Sequence, residues 1–175
     1  MCIRDSHDTE RIHSQLNDNE ALHQLAAILL ITFPGVPGIY YGDEIGMTDL
    51  PQVGSRACMV WDERKWNRSL LAIYRSLIEL RRNSPVLQRG GFQILAAERD
   101  TLAYQRDSET GRIIVVAHRS ATPRPAAPLP VAHGGIPDGT RFVEHFSGHL
   151  ASVENGAIQL GEQSQGATLW IQAGQ

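Results

Sequence analysis

The chain has 175 residues, enough for one ordinary domain or a small domain plus part of another, and enough to bury a real core. Its 16 basic and 19 acidic residues leave a formal charge of -3, with the cations scattered. This excludes the electrostatic footprint of a nucleic-acid or anionic-membrane binder and suits a neutral small molecule.

The first periodic segment opens at Asn17, with Glu20 three residues on, a pattern that predicts a capped helix start. Leu22, Leu25, Ala26, Leu29 and Leu30 then recur at helical spacing until Pro34-Gly35 stops the run. The apolar stretch Leu25 to Phe33 is far too short to span a bilayer. Val36 to Gly42, β-branched and aromatic, predicts a buried strand on which Tyr40 and Tyr41 point to opposite faces. Residues 43 to 65 have no period and read as a long loop, of the kind that usually carries function. A second helix begins near Asn67, with Leu70, Ile73, Tyr74, Leu77 and Ile78 in one stripe, Arg81 and Arg82 at the negative end of its dipole, and Asn83-Ser84-Pro85 as its stop.

From Gly90 the period changes to 2, through segments near 91–97, 101–106, 112–118, 140–146, 156–160 and 167–172. That is the pattern of an antiparallel β domain. Ala121 to Pro137 reads as one more strand flanked by irregular connections. Lys65 is the only lysine, which reads first as genome composition and second as carboxylate pairing by arginine. Cys2 and Cys58 are the only cysteines and have no C-x-x-C spacing, so no zinc site is expected and both thiols should be free.

Three motifs carry chemistry. They are Ser6-His7-Asp8-Thr9-Glu10-Arg11, the run Phe33-Pro34-Gly35-Val36-Pro37-Gly38-Ile39-Tyr40-Tyr41-Gly42-Asp43-Glu44-Ile45-Gly46, and Arg56-Ala57-Cys58-Met59-Val60-Trp61-Asp62. Together they resemble the last part of the α-amylase family of glycoside hydrolases (family 13). The stretch from Cys58 onward, with Tyr74 to Ile78, Leu80-Arg81-Arg82 and Ser84 to Leu87, resembles the subgroup of cyclomaltodextrinases, neopullulanases and maltogenic amylases. The resemblance implies the C-terminal part of a (β/α)8 TIM barrel over residues 1–87, from the end of strand seven to helix eight. An antiparallel β-sandwich domain follows over 88–175, with the boundary between 84 and 91. A complete barrel takes about 250 residues, so the chain is expected to be a fragment.

Retaining glycoside hydrolysis uses a nucleophilic carboxylate and a protonated carboxyl about 5–5.5 Å apart, with an oxocarbenium-like transition state. The family's nucleophile and general acid precede this portion. The resemblance makes Asp8 the third carboxylate, a transition-state stabiliser, and His7 a substrate-binding donor to the same sugar. Read alone, His7-Asp8 could be a helix-capping turn, or part of a metal-dependent phosphohydrolase site with His13 and His23. Trp61 is a candidate sugar-stacking platform, with loop packing an equal alternative, and Arg56 a candidate anchor of the site rim, with a surface ion pair as the default. Asp43 and Glu44 cannot face each other on an extended segment, so Glu44 reads as a structural hydrogen-bonding partner and Asp43 as loop-facing.

The expected function is that of a retaining α-glycosidase acting on α-1,4 bonds of maltooligosaccharides, cyclodextrins or related α-glucans, with action on α-1,6 bonds left open. It needs no cofactor and no metal, has no nucleic-acid or membrane partner, works in the cytoplasm, and leaves a homodimer open for the full-length protein. The rival is a non-catalytic amylase-like binding domain, as in the heavy chains of certain amino-acid transporters.

Overall fold

The computed structural model describes residues 9–174; Cys2 and the His7-Asp8 pair lie outside them. Helix α1 (Ile12–Gln15) is one turn long, and Asn17 and Asp18 follow it in the left-handed region at φ 52° and 58°. Their short polar side chains tolerate that conformation. The helix start therefore falls two residues later than the sequence predicts. Asn19 caps α2 (Glu20–Thr32) by accepting from the Leu22 amide at 3.0 Å. Glu20 does not close a capping box; it accepts from Asn67 at 3.2 Å, from Gln24 at 3.0 Å and from the Ser69 hydroxyl.

The buried face of α2 is His23, Leu25, Ala27, Ile28, Ile31 and Thr32, rotated from the predicted leucine stripe. This helix is apolar on nearly every side, so its period does not single out a face. The two polar members of that face are satisfied internally: Thr32 donates to the Ile28 carbonyl at 2.6 Å, and His23 meets the Tyr74 hydroxyl at 3.2 Å.

Residues 36 to 40 form neither helix nor strand and 41–42 are already a turn, so this is not the buried strand that the sequence predicts. Among the described residues no segment pairs with them, and Val36 is 98% exposed. A strand exists only through a neighbour that takes its N–H and C=O groups. The loop from 43 to 65 contains two 3-10 turns, Asp43–Ile45 and Glu63–Lys65. Helix α3 (Arg68–Asn83) begins where predicted, capped by Asn67 accepting from the Leu70 amide at 3.0 Å. Ser84 ends it and at once caps α4 (Pro85–Arg89).

Eight antiparallel strands follow: β1 (Gly91–Ala97), β2 (Thr101–Ser108), β3 (Gly111–His118), β4 (Pro128–Pro130), β5 (Arg141–Glu144), β6 (Leu150–Glu154), β7 (Ala157–Gln159) and β8 (Gly166–Gln172). They form one sheet in the order β1-β2-β3-β8-β5-β6-β7-β4. The sheet curls like a barrel over a core of Leu95, Ile114, Leu129, Phe142, Ile158 and Trp170. β4 is the strand expected within 121–137. β6 was not legible because only Val153 along it is buried.

The central strands are buried on both faces. Ala103, Ile114, Val116 and Trp170 point into the curl, while their neighbours Tyr104, Ile113, Val115 and Leu169 pack against Ala27, Ile31, Leu70, Tyr74, Leu77 and Leu87 of α2, α3 and α4. Alternation of side chains along a strand produces this division. The helices and the sheet thus share one core.

Arg106, at 1% exposure, locks that seam. Its guanidinium donates to the carbonyls of Thr32 at 2.7 Å, Leu87 at 3.2 Å, Gly90 at 2.8 Å and Gly91 at 2.8 Å. Arg81 does the same from α3, reaching the carbonyls of Ile31, Phe33 and Gly35. Both cations sit where α2 leaves its last carbonyls unpaired and where its dipole is negative.

Candidate functional site

The segment 36–42 ends in a turn at Gly42, whose φ is +86° and at which a Cβ would overlap the Met47 thioether. Only glycine meets both demands. The chain then turns through Asp43–Ile45 and is held down by a small core of Ile45, Met47, Ala57 and Leu71, with Met59, Val60 and Trp66 against it. The Asn67 amide donates to the Ile45 carbonyl at 3.1 Å, tying this turn to the start of α3.

Against that turn lies the segment that follows His7-Asp8, and Arg11 joins the two. Arg11 is wholly buried. Its Nη1 donates to the Tyr41 carbonyl at 2.7 Å and to the Asp43 carboxylate at 3.4 Å. Its guanidinium lies 4.8 Å from the ring centres of both Tyr40 and Tyr41, and its backbone N–H donates to both carboxylate oxygens of Asp49, at 3.2 and 3.0 Å. The Asp49 amide in turn donates to the Ser14 hydroxyl at 2.8 Å. The cation thus lies against two π faces and one carboxylate, while its Nε and Nη2 are buried with no hydrogen-bond partner among the described residues.

These contacts correct three expectations. Tyr40 and Tyr41 do not diverge; their ring centres are 4.4 Å apart, because the backbone is already turning here and both close on Arg11. The neighbouring Tyr41 hydroxyl raises the Tyr40 phenol above its ordinary pKa, with burial adding to it. Asp43 is buried at 3% exposure instead of facing the loop, since it is the partner of Arg11. Glu44 is not a hydrogen-bonding partner through its Oε2, which is buried with no partner among the described residues.

Thr9, Glu10, Asp49, Val53, Ser55 and Arg56 line an open cleft beside this clamp. Arg56 is thus on the cleft, and its charge reaches Tyr40. Trp61 is not on it: the indole is 78% exposed, while the packed indole of this region is Trp66, which donates to the Val60 carbonyl at 2.6 Å beneath Arg68. Among the described residues no group of three or more His, Cys, Asp or Glu side chains could hold a metal, and no helix is long and apolar enough to cross a membrane. Cys58 is a free, exposed thiol. The residues that sequence reasoning missed are Arg11 and Asp49; the signal for Arg11 was its place inside the motif, four residues after His7.

The alpha-amylase catalytic-domain family matches residues 1–59. A cyclomaltodextrinase of a Bacillus species is 36% identical over 140 residues, covering 79% of this chain and 25% of that protein. Neopullulanase 2 of Thermoactinomyces vulgaris is 40% identical over 102 residues, covering 58% of this chain and 17% of that protein. A solved cyclomaltodextrinase superposes with a TM-score of 0.82 at 30% identity, covering 95% of this chain and 28% of the other. The chain spans a quarter or less of the length of these curated relatives. By its motifs, its matching relatives and its fold, the chain belongs to the α-amylase family of glycoside hydrolases.

Proposed function

We propose that this chain is the C-terminal portion of a retaining α-glycosidase, with residues 1–87 completing a (β/α)8 barrel and residues 88–175 forming its β domain. The observation that carries the reading is the Arg11 clamp, which sets the segment after His7-Asp8 side by side with the Tyr41-Gly42-Asp43 turn. In a barrel enzyme, residues at the ends of neighbouring strands build the site. The pinning of 9–11 against 41–49 supports the same arrangement here.

Asp8 accepts hydrogen bonds from hydroxyls of the sugar in the cleavage subsite and favours the ring distortion and positive charge of the oxocarbenium-like transition state. His7 donates to the same sugar, an electrostatic contribution that grows as water is excluded. The nucleophile and the general acid come from upstream barrel strands, and Arg56 stands on the rim of the cleft. The substrates are α-1,4-linked maltooligosaccharides and cyclodextrins, with α-1,6 bonds as a second class, in keeping with the relatives' names. The exposed thiol of Cys58 suits a cytoplasmic setting.

The test is kinetic, on the enzyme that carries this chain. Asp8→Asn keeps shape and removes charge, so kcat falls by several orders of magnitude while KM changes little; His7→Asn costs on the order of 10²-fold. Near-normal turnover by Asp8→Asn sinks the assignment. Absence of an upstream nucleophile and acid would favour a non-catalytic binding domain.

A further inference from the structure

The hairpin between β6 and β7 turns on Asn155 and Gly156, with Glu154 paired to Ala157 and Val153 to Ile158. Both central residues are left-handed, at φ 52° and 74°. A hairpin turn of this kind calls for asparagine followed by glycine, because the twist of the flanking strands demands positive φ at both positions. Glycine is favoured at 156 for a second reason: a Cβ there would crowd the Ala132 methyl at 3.1 Å. The same dipeptide is the one most prone to deamidation, since glycine has no side chain to shield its nitrogen from the asparagine before it. Asn155 is exposed, so water reaches its carboxamide. The fold therefore needs a chemically labile pair at this turn.

A single carboxylate stands over the labile bond. Asp138 accepts from the Asn155 amide through Oδ2 at 3.1 Å and from the Gly156 amide through Oδ1 at 2.7 Å. Its own segment is tied to β6: the Gly139 amide donates to the Val153 carbonyl at 2.9 Å, and the Val153 amide donates to the Thr140 carbonyl at 2.9 Å. On the other side, the Gly156 carbonyl accepts from the amides of Val131 at 2.9 Å and Ala132 at 3.1 Å. Both peptide groups of Gly156 are thereby pinned.

We propose that Asn155-Gly156 is a deamidation site that the fold holds shut, with Asp138 as its guard. In the reaction the Gly156 nitrogen gives up its proton and bonds to the side-chain carbonyl carbon of Asn155. The carboxamide nitrogen departs as ammonia, carrying that proton, and a cyclic imide remains. Water then opens the ring, at the side-chain carbonyl to give aspartate or at the backbone carbonyl to give isoaspartate, whose main chain runs through the former side chain. Asp138 opposes the first step twice: its charge-assisted hydrogen bond stabilises the N–H form, and its negative charge repels the amide anion that attack requires. The products differ in their effect on the fold. Aspartate sets a second carboxylate beside Asp138, whereas isoaspartate adds a backbone carbon to the tight turn, so Val153 and Ile158, both wholly buried, lose their register.

The test is incubation of the enzyme that carries this chain at mildly alkaline pH, followed by mass spectrometry that resolves asparagine, aspartate and isoaspartate at position 155. A free synthetic peptide of residues 150–160 gives the unprotected rate. Deamidation is expected to be at least about tenfold slower in the native enzyme than in the peptide, and about tenfold faster in Asp138→Ala than in the native enzyme, the rate equivalent of one charge-assisted hydrogen bond. Asp138→Asn keeps an acceptor oxygen and loses the charge, so its rate should fall between. Ile158→Val loosens the same hairpin from its buried side at modest cost and leaves Asp138 in place, so its rate should stay near the native one. The proposal is overturned if the native enzyme reacts as fast as the peptide, or if Asp138→Ala reacts no faster than the native enzyme. It is overturned equally if Ile158→Val matches Asp138→Ala, because opening of the hairpin would then control the rate in place of Asp138. Glycosidase activity enters none of these readouts.

Discussion

Arg106 offers the sharpest test of how the helices and the sheet are joined. Its guanidinium satisfies four backbone carbonyls, those of Thr32, Leu87, Gly90 and Gly91, from inside the core. Burial lowers its pKa from the usual arginine value, and Arg81 adds to this, partly offset by Tyr104 and Asp107. Arg106→Met keeps the length and the apolar stem but removes every donor. Each charge-assisted hydrogen bond contributes about 1.5 kcal/mol or more, and each buried carbonyl left without a partner costs about 1–3 kcal/mol, while relief from burying a cation offsets part of the sum. The net loss expected is about 4 kcal/mol. For a domain of this size that lowers Tm by roughly 8–16 °C. Arg106→Lys should recover about half, since an ammonium cannot reach four divergent acceptors. As a control, Arg124→Met breaks the half-exposed pair with Glu98, at 2.8 Å, and should cost about 0.5 kcal/mol or less. Thermal melting by circular dichroism decides the matter. If Arg106→Met melts within about 3 °C of the parent, the carbonyls have other partners and the clasp is not what holds the seam.

Gly42→Ala should destabilise by about 2–4 kcal/mol, from a left-handed residue carrying a Cβ plus its overlap with Met47; trimming Met47 to Ala in the same chain should relieve only the overlap, measurable as non-additive denaturation midpoints. His145 meets the Ser76 hydroxyl of α3 at 2.7 Å, and burial lowers its pKa despite the Glu144 carboxylate beside it. Its contribution is therefore complete above the unfolded value near 6.5 and is lost as pH falls toward the lower folded value, so His145→Gln should flatten global stability between about pH 7 and pH 5; equal slopes would refute the linkage. Glu144 is pushed up by burial but more strongly drawn down by hydrogen bonds from Ser147, Leu169 and Phe146, for a net lowering. The stability it lends is present above the unfolded carboxylate value and disappears as pH falls through the folded one, and Glu144→Gln should shrink that acid limb in a pH series of urea melts. The 175-residue chain alone should not turn over maltotriose or cyclodextrin, and sustained hydrolysis by pure material would undo the division of roles proposed for Asp8 and the upstream carboxylates.

What the sequence made legible was local or strictly periodic. Asn67 and Asn83-Ser84-Pro85 bound α3 because capping and proline chemistry act within a few residues. The segment near 112–118 reads as a strand and is one, β3, but it is buried on both faces and not on alternate positions as a period of 2 suggests. The stretch 36–42 has the composition of a strand but finds no neighbour among the described residues that would make it one. Asn17 has the chemistry of a cap, but a left-handed pair displaces the cap to Asn19, and nothing in the residues themselves announces that pair.

The arginines show why the rest was hidden. A chain with a single lysine invites the reading that its guanidiniums pair with carboxylates at the surface. Three of them instead serve the interior: Arg11 on a carbonyl, one carboxylate and two tyrosine rings, Arg81 on three carbonyls, and Arg106 on four. Each stands where backbone leaves a helix or an extended segment and has carbonyls to spare. A planar fork of five donors can satisfy several such acceptors at once, which an ammonium cannot. Composition can register that preference only as an excess of arginine, because the acceptors belong to the backbone and carry no letter in the sequence. The site follows the same logic: His7-Asp8 is recognisable as a motif, whereas the residue that fixes the segment behind it, Arg11, becomes recognisable only once Tyr40, Tyr41 and Asp43 have closed around it.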